Sequence, residues 1–197
     1  MDEPLFTGYT KTLVLICGYA RAGKDTLAGG IMEWSEKNNY QINFADALKD
    51  VSNMFLESLE LEGNFHDDEF KTHNRDFLVS AGTFARRINP NVFAEELAKT
   101  CSTATDDDCI PYETVVCSDW RYFNELIVCQ RRLIPMGWRI RTVYISTNGI
   151  GPANSEEAQS IKEIRELIKF DSEYHFERDN RNQIMQEGRH LAKQWRL

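Results

Sequence analysis

Two short runs of consecutive apolar residues constrain the fold of this chain more than any other feature. They are residues 12–17 (TLVLIC) and residues 114–118 (TVVCS). A strand with one face in water alternates apolar and polar residues, whereas a strand buried on both faces is apolar throughout. Both runs therefore predict central strands of a parallel sheet that helices cover on its two sides.

The rest of the chain alternates strand and helix patterns around these two runs. Further strands are predicted at 40–44, 139–146 and 173–176, and helices at 24–38, 46–60, 69–81, 89–99, 122–135, 155–169 and 182–195. Such alternation is typical of an α/β three-layer sandwich, here with a five-stranded parallel sheet. Ligands of these sheets bind beyond the carboxyl ends of the strands, so functional groups are expected just after Cys17, Phe44, Ser118 and Ser146.

Length and charge exclude several classes of protein. The 197 residues suffice for one domain, and the net charge of −8 disfavours a general nucleic-acid binder. No apolar run approaches the ~20 residues of a membrane span. Residues 1–10 contain acids and no basic segment, which is unlike a signal peptide. These features predict a soluble enzyme in the cytoplasm, or in the host cytoplasm if the source is viral.

Cysteine and acid patterns give no indication of a disulfide framework or a histidine metal site. The five cysteines include no CxxC pair and read as reduced thiols. The four histidines have no ligand spacing. The run Asp106-Asp107-Asp108 is interpreted as a surface loop, with a metal site as the alternative.

The loop after the first strand carries the most specific motif. It reads Gly18-Tyr-Ala-Arg-Ala-Gly23-Lys24, a GxxxxGK sequence between a buried strand and a helix. Glycines let the backbone curl so that successive amide groups and a helix N-terminus face one anion. Lys24 adds a compact cation for the β- and γ-phosphates of a nucleotide. The alternative is a glycine turn that binds nothing.

The two residues after the lysine are Asp25 and Thr26. Ser or Thr usually follows the lysine in this motif and touches Mg²⁺, and an aspartate can also meet the metal, directly or through water. Asp25 is therefore a candidate metal ligand, with helix capping as the alternative. The hydroxyl of Thr26 is expected to reach a phosphate.

A second polar group follows the second buried strand. Asp119 lies at the strand's carboxyl end and Arg121 two residues later. The carboxylate is suited to hold Mg²⁺ or to accept a proton, and the guanidinium is suited to bind phosphate. The alternative is an internal Asp119–Arg121 ion pair that fixes the turn. Glu125 is interpreted more weakly, either as part of this group or as an exposed acid in the first turn of a helix.

Several segments, in this order, resemble the phage-type deoxynucleoside monophosphate kinases. They are GYARAGKDT, FADALKD, RDFLVSAGTFARRINPNVFAEEL, VVCSDWRYFNEL and FDSEYHFERDN. The animal-type phosphomevalonate kinases are a related family that shares the GKD loop and the SDxR element. The resemblance spans roughly residues 13–180 and implies a P-loop kinase fold with ATP and Mg²⁺. It implies a core of about 11–45 and 112–197, and an acceptor-binding helical region of about 46–111.

The resemblance also implies roles for individual residues. Lys24, Asp119 and Arg121 would be catalytic, and Asp25 and Asp119 would bind the metal. ATP would contact Gly18, Arg21, Ala22, Gly23, Lys24, Asp25, Thr26 and Asn180, the last near adenine. The acceptor would contact Asp46, Lys49, Arg75, Arg86, Arg87, Trp120 and Arg165.

Two departures from the family concern the lid and the acceptor pocket. The lid of such kinases follows the fourth strand and usually carries several arginines. Here residues 147–161 contain no Arg or Lys, so the cations of the lid would have to come from Arg121 and Arg165. The chain is also short around residues 60–72, where base specificity would be set.

The sequence thus predicts transfer of a phosphoryl group from ATP to a (deoxy)nucleoside monophosphate. Alternatives are phosphomevalonate or a hydroxymethyl-pyrimidine as acceptor, or a non-catalytic nucleotide-binding module. Expected partners are small nucleotides, with no membrane, no stable nucleic-acid complex, and a homodimer left open.

Overall fold

The computed structural model describes residues 11–106 and 108–197. The segment 1–10, for which no leader is predicted, and the central residue of the aspartate run lie outside this range. Within it, no helix is long and apolar enough to cross a membrane.

Five parallel strands within residues 11–106 and 108–197 form one sheet at the centre of the fold. They are β1 (Lys11–Cys17), β2 (Asn39–Gln41), β3 (Thr114–Trp120), β4 (Trp138–Thr147) and β5 (Ser172–Phe176). Their order across the sheet is β2-β3-β1-β4-β5, with Leu13 opposite Val115 and Ile140. The two apolar runs of the sequence are thus neighbours at the centre of the sheet, as strands buried on both faces must be.

Eight α-helices in the described residues connect and cover the strands. They are α1 (Lys24–Trp34), α2 (Asp46–Ser58), α3 (Asp68–His73), α4 (Arg75–Ile88), α5 (Val92–Thr103), α6 (Phe123–Leu133), α7 (Ser155–Leu167) and α8 (Arg181–Trp195). One face of the sheet packs against α1 and α8 through Leu27, Ile31 and Leu191. The other packs against α5, α6 and α7 through Leu97, Leu126 and Ile161. The predicted α/β three-layer fold is therefore confirmed.

Helices α1 and α8 cross at unusually short distance because glycines meet there. A Cβ atom at Gly30 would lie 2.2 Å from the carbonyl oxygen of Met185, and one at Gly188 would lie 2.4 Å from that of Leu27. The glycines that weaken α1 as an isolated helix are thus explained by packing.

Two predicted elements differ from the structure for local reasons. The helix predicted at 69–81 is two helices, because Asn74 breaks the first and its side chain donates to the carbonyl of Phe70 at 2.9 Å. The second continues past Gly82 to Ile88. The strand predicted at 40–44 ends at Gln41. The Ile42 amide still donates to the carbonyl of Val116 at 3.0 Å, and beyond it the side chains of Asn43 and Asp119 replace the backbone partners.

Candidate active site

The loop between β1 and α1 is curled around its glycines. Gly18 has φ of 157° and Gly23 has φ of 93°. A Cβ at Gly18 would lie 2.3 Å from the backbone oxygen of Ile145, and one at Gly23 would lie 2.7 Å from Ile184. Both positions therefore exclude a side chain. Arg21 also has positive φ and is exposed at the loop's tip.

Lys24 is buried beneath this curl, with 8% of the residue exposed. Its Nζ donates hydrogen bonds of 2.8 Å to the carbonyl oxygens of Gly18 and Tyr19. Burial lowers the pKa of Lys24, and the nearby Arg121 lowers it further, whereas the charge of Glu157 raises it. The ammonium therefore lies in a partly desolvated region beneath the loop, near the guanidinium of Arg121 and the carboxylate of Glu157.

Asp25 is exposed in the first turn of α1 and accepts a 2.5 Å hydrogen bond from the Ser118 hydroxyl. Asn43 Oδ1 accepts from the Ser118 amide at 2.9 Å, and Gln41 donates to Ser118 Oγ at 3.1 Å. Side-chain oxygen atoms of Asp25, Ser118 and Asn43, which belong to three separate segments, thus lie close together near Lys24. Sequence reasoning missed Ser118 and Asn43 as site residues, because both lie within the predicted strands 114–118 and 40–44 and functional groups were expected only after them.

Asp119 lies at an irregularity in the pairing of β1 and β3. Leu15 is opposite Cys117 but Cys17 is opposite Trp120, so β3 contains one extra residue there. The carboxylate accepts from the backbone amides of Phe44 at 2.8 Å and Ala45 at 3.0 Å. Burial raises the pKa of Asp119, and these amide hydrogen bonds oppose that shift. Asp119 therefore fixes the turn that leads into α2, and it also lines the cavity described below.

Arg121 does not form the alternative ion pair with Asp119. Its Nη2 lies 3.8 Å from Glu157 Oε1, and the Glu157 side chain is almost fully buried. Glu157 also accepts from the amides of Ala20 at 3.1 Å and Ala153 at 2.7 Å. Nothing in the sequence distinguishes Glu157 from its neighbour Glu156, so this contact was not predictable.

A cavity of about 330 Å³ opens beside Arg121, within the size range of small-molecule sites. Apolar side chains of Leu48, Leu78 and Val79 form part of its wall. Asp119 and Glu125 also line it, together with five cations: Lys49, Lys71, Arg75, Arg86 and Arg121. Four of these cations were predicted from the sequence, and Lys71 was missed. A cavity with this lining is suited to an anion that carries an apolar or aromatic body.

Arg86 and Arg87 lie in different environments. The Arg86 guanidinium stacks between Phe93 and Tyr122, at 4.6 and 4.8 Å from the two ring centres. Arg87 is exposed over Phe84, at 5.4 Å, and is not part of the cavity wall. The structure therefore places only the first of the two arginines at the candidate site.

Glu125 is buried, so its interpretation as an exposed first-turn acid is wrong. Its Oε2 accepts from the amides of Arg121 and Tyr122, both at 3.0 Å. Burial raises the pKa of Glu125 to about 8, with the amide of Arg121 opposing the shift and the charge of Asp119 adding to it. The side chain thus caps α6 at the cavity wall.

Trp120 requires a correction. Its side chain is fully buried, its Nε1 donates to the Tyr122 carbonyl at 2.9 Å, and its ring packs against Phe170. An indole enclosed by the core cannot contact an acceptor, so Trp120 is a packing residue.

Three other predicted residues lie at the margins of this region. Asp46 binds Lys49 at 2.7 Å and faces a separate cavity of about 590 Å³. Arg165 stacks over Tyr144 at 4.5 Å. Asn180 precedes α8, whose Ile184 packs close to Gly23 of the loop between β1 and α1.

No cluster of three or more His, Cys, Asp or Glu suitable for a metal ion occurs in residues 11–106 and 108–197. The two candidate ligands differ in what their oxygens already bind. Both oxygens of Asp119 accept backbone amides, whereas Asp25 is exposed beside the hydroxyl of Ser118. Asp25 is thus the better suited of the two to meet a hydrated cation.

No protein-family model matches the sequence, and no curated protein is significantly similar to it. Among solved structures, an unliganded sugar kinase from a Janibacter species aligns over 90% of this chain and 91% of its own, at 15% identity and a TM-score of 0.45. A candidate kinase from Chloroflexus aurantiacus aligns over 92% and 98%, at 12% identity and a TM-score of 0.43.

Proposed function

We propose that this protein is a phosphotransferase that moves the γ-phosphoryl group of ATP to the phosphate of a (deoxy)nucleoside monophosphate. One observation carries the proposal: Arg121 lines a cavity with four other cations, and its charge acts on Lys24, which is buried in a glycine-curled loop. The loop is suited to a triphosphate, and the cavity is suited to a second phosphorylated molecule. Arg121 lies where the two meet.

On the donor side, the phosphates would lie against the amides of the loop and the N-terminus of α1, where the helix dipole favours an anion. Lys24 would neutralise charge on the β- and γ-phosphates. Arg21, Ala22 and Thr26 would complete the phosphate contacts, and Asn180 would lie near the adenine.

On the acceptor side, the phosphomonoester would bind among the basic side chains that line the cavity, with Arg75 and Arg86 as the predicted contacts. One arginine guanidinium can donate two parallel hydrogen bonds to two oxygens of the same phosphate. This fixes the orientation of the phosphate and also neutralises part of its charge. The base would lie against the apolar wall that Leu78 and Val79 contribute.

The chemistry requires position and charge rather than a strong base. A phosphomonoester oxygen is already ionised near neutral pH and can attack the γ-phosphorus directly. Holding donor and acceptor in line removes most of the entropic barrier, and cations at the equatorial oxygens stabilise the transition state. Lys24 and Arg121 are the residues placed to supply that stabilisation.

Magnesium would supply further neutralisation of the phosphate oxygens when bound. Asp25 would hold it, directly or through water, and Ser118 orients that carboxylate. Asp119 would act mainly by fixing the turn that presents Lys49 and Ala45 to the cavity.

The test is release of ADP from labelled ATP with a panel of nucleoside monophosphates and with phosphomevalonate. Wild type is expected to turn over with at least one nucleotide, and Lys24→Met is expected to lose on the order of 10²–10³ in rate. Lys99→Ala, which removes an exposed lysine on α5, is the matched control.

Three results would contradict the proposal. Undiminished turnover in Lys24→Met would remove the phosphate loop from the reaction. Turnover with phosphomevalonate alone would change the acceptor class. ATP binding without ADP release for every acceptor would indicate a non-catalytic nucleotide-binding module.

A further inference from the structure

Glu157 joins three segments that are far apart in the sequence. Its Oε1 accepts from the amide of Ala20 in the phosphate loop, and its Oε2 accepts from the amide of Ala153 in the loop between β4 and α7 (residues 148–154). Its Oε1 also lies 3.8 Å from Arg121 Nη2. One carboxylate thus contacts the phosphate loop, the β4–α7 loop and the arginine beside the cavity.

The carboxylate is buried, since only 2% of the side chain is exposed. A buried negative charge is strongly unfavourable unless hydrogen bonds and an opposite charge compensate for it. Here two amides and one guanidinium do so, and Asn154 caps the helix by accepting from the Glu157 amide at 2.9 Å. The fold therefore fixes the position of this carboxylate, unlike that of a mobile side chain on the surface.

Arg121 needs such an anchor. Its side chain is 39% exposed and lines the acceptor cavity. The β4–α7 loop itself contains no Arg or Lys, so it cannot contribute a cation of its own. A long side chain stabilises a transition state only if its orientation is held before the reaction.

We propose that Glu157 is a positioning residue that holds the phosphate loop, the β4–α7 loop and Arg121 in one arrangement, with the guanidinium directed to the transferred phosphoryl group. The role of Arg121 in this inference rests on the proposed function. The tether between the two loops does not, and it is measurable in the protein without ligands.

The first experiment measures amide hydrogen exchange in the unliganded protein. Glu157→Ala is expected to speed exchange roughly 5- to 10-fold in residues 18–24 and 148–154, the effect of losing a hydrogen bond at each. Glu163→Gln, at an exposed position on the same helix, is expected to change neither segment. Unchanged exchange in both loops of the Ala variant would overturn the tether.

The second experiment separates binding from chemistry. In Glu157→Gln the single amide oxygen can accept from only one of the two backbone amides, Ala20 or Ala153, and the charge facing Arg121 is lost. We expect kcat to fall roughly 10- to 100-fold while KM for ATP changes less than about threefold. In an Arg121→Ala background the same substitution is expected to cost less than about twofold, because the residue through which Glu157 acts is gone.

The role assigned to Glu157 would be overturned if the two substitutions lowered kcat multiplicatively, or if Glu157→Gln left kcat unchanged. Either result would leave the proposed function intact. A wild type that releases no ADP with any acceptor would instead overturn the proposed function. If Glu157→Gln does not fold, Glu157→Asp keeps the charge but shortens the reach by one methylene, and it is expected to change kcat in the same direction.

Discussion

At the scale of single residues, the candidate site depends on three buried charged or ionisable side chains. Lys24, Glu125 and Glu157 are each less than a tenth exposed. Each has specific backbone partners: carbonyl oxygens for the lysine and amide groups for the two acids. Such groups are costly to bury without partners, so the backbone around them is fixed by the need to satisfy them.

The raised pKa of Glu125 predicts how the free energy of unfolding depends on pH. Burial raises its pKa from 4.5 to about 8, so the folded state binds a proton that the unfolded state releases. Its contribution to the free energy of unfolding therefore falls as the pH rises from about 4.5 to about 8. We expect Glu125→Gln, which cannot ionise, to reduce this decline by on the order of a few kcal/mol, measured by urea denaturation at a series of pH values.

The matched control is Glu163→Gln, on the exposed face of α7. It should leave the pH dependence of wild type in place. If Glu125→Gln showed the same decline as wild type between pH 5 and 8, the Glu125 carboxyl would not be the group responsible.

At the scale of secondary-structure elements, adjacent glycines in α1 have opposite consequences. A Cβ at Gly30 would lie 2.2 Å from a backbone oxygen of α8, whereas one at Gly29 would make an ordinary contact of 3.7 Å with the end of the Met185 side chain. Gly30→Ala should therefore force the helices apart and lower the free energy of unfolding by roughly 1–3 kcal/mol. Gly29→Ala should raise it by about 0.5–1 kcal/mol through helix propensity.

Chemical denaturation of the two single variants gives both values, and each variant serves as the control for the other. Equal effects of the same sign would mean that helix propensity alone decides the outcome. The close contact of α1 and α8 would then not be limiting for stability.

At the scale of the whole molecule, the proposed function predicts that ligand binding stabilises the fold, because the proposed donor and acceptor sites use residues of both the sheet and the helical region. A ligand present at 100 times its Kd adds about 2.7 kcal/mol. For a chain of this size that corresponds to a rise in Tm of roughly 5–10 °C. Thermal unfolding with ATP and with each monophosphate of the panel measures the shift.

Lys24→Met should lose most of the shift with ATP yet keep the shift with the acceptor, since Lys24 does not line the cavity. An acceptor whose shift also disappears in that variant would show that the two sites are not separate.

The sequence predicted most of the architecture because the relevant signals are local. Continuous apolar runs identified β1 and β3, and the GxxxxGK spacing identified the loop between β1 and α1. Breaks within helices were less predictable: Asn74 divides a helix that the periodicity predicts as continuous. Such endpoints depend on single side-chain hydrogen bonds that compete closely with water.

The sequence by itself determined the order of strands and helices and the glycine-containing loop with Lys24, which follow from hydrophobic periodicity and from residue types at fixed spacing. Its resemblance to the phage-type deoxynucleoside monophosphate kinases implied three of the cations that line the cavity of about 330 Å³, namely Lys49, Arg75 and Arg86. Only the tertiary structure decided that Trp120 is enclosed, that Glu125 is buried, and that Glu157 meets both Ala20 and Arg121. Those outcomes depend on which side chains from distant segments share one desolvated space, and no local pattern encodes that choice.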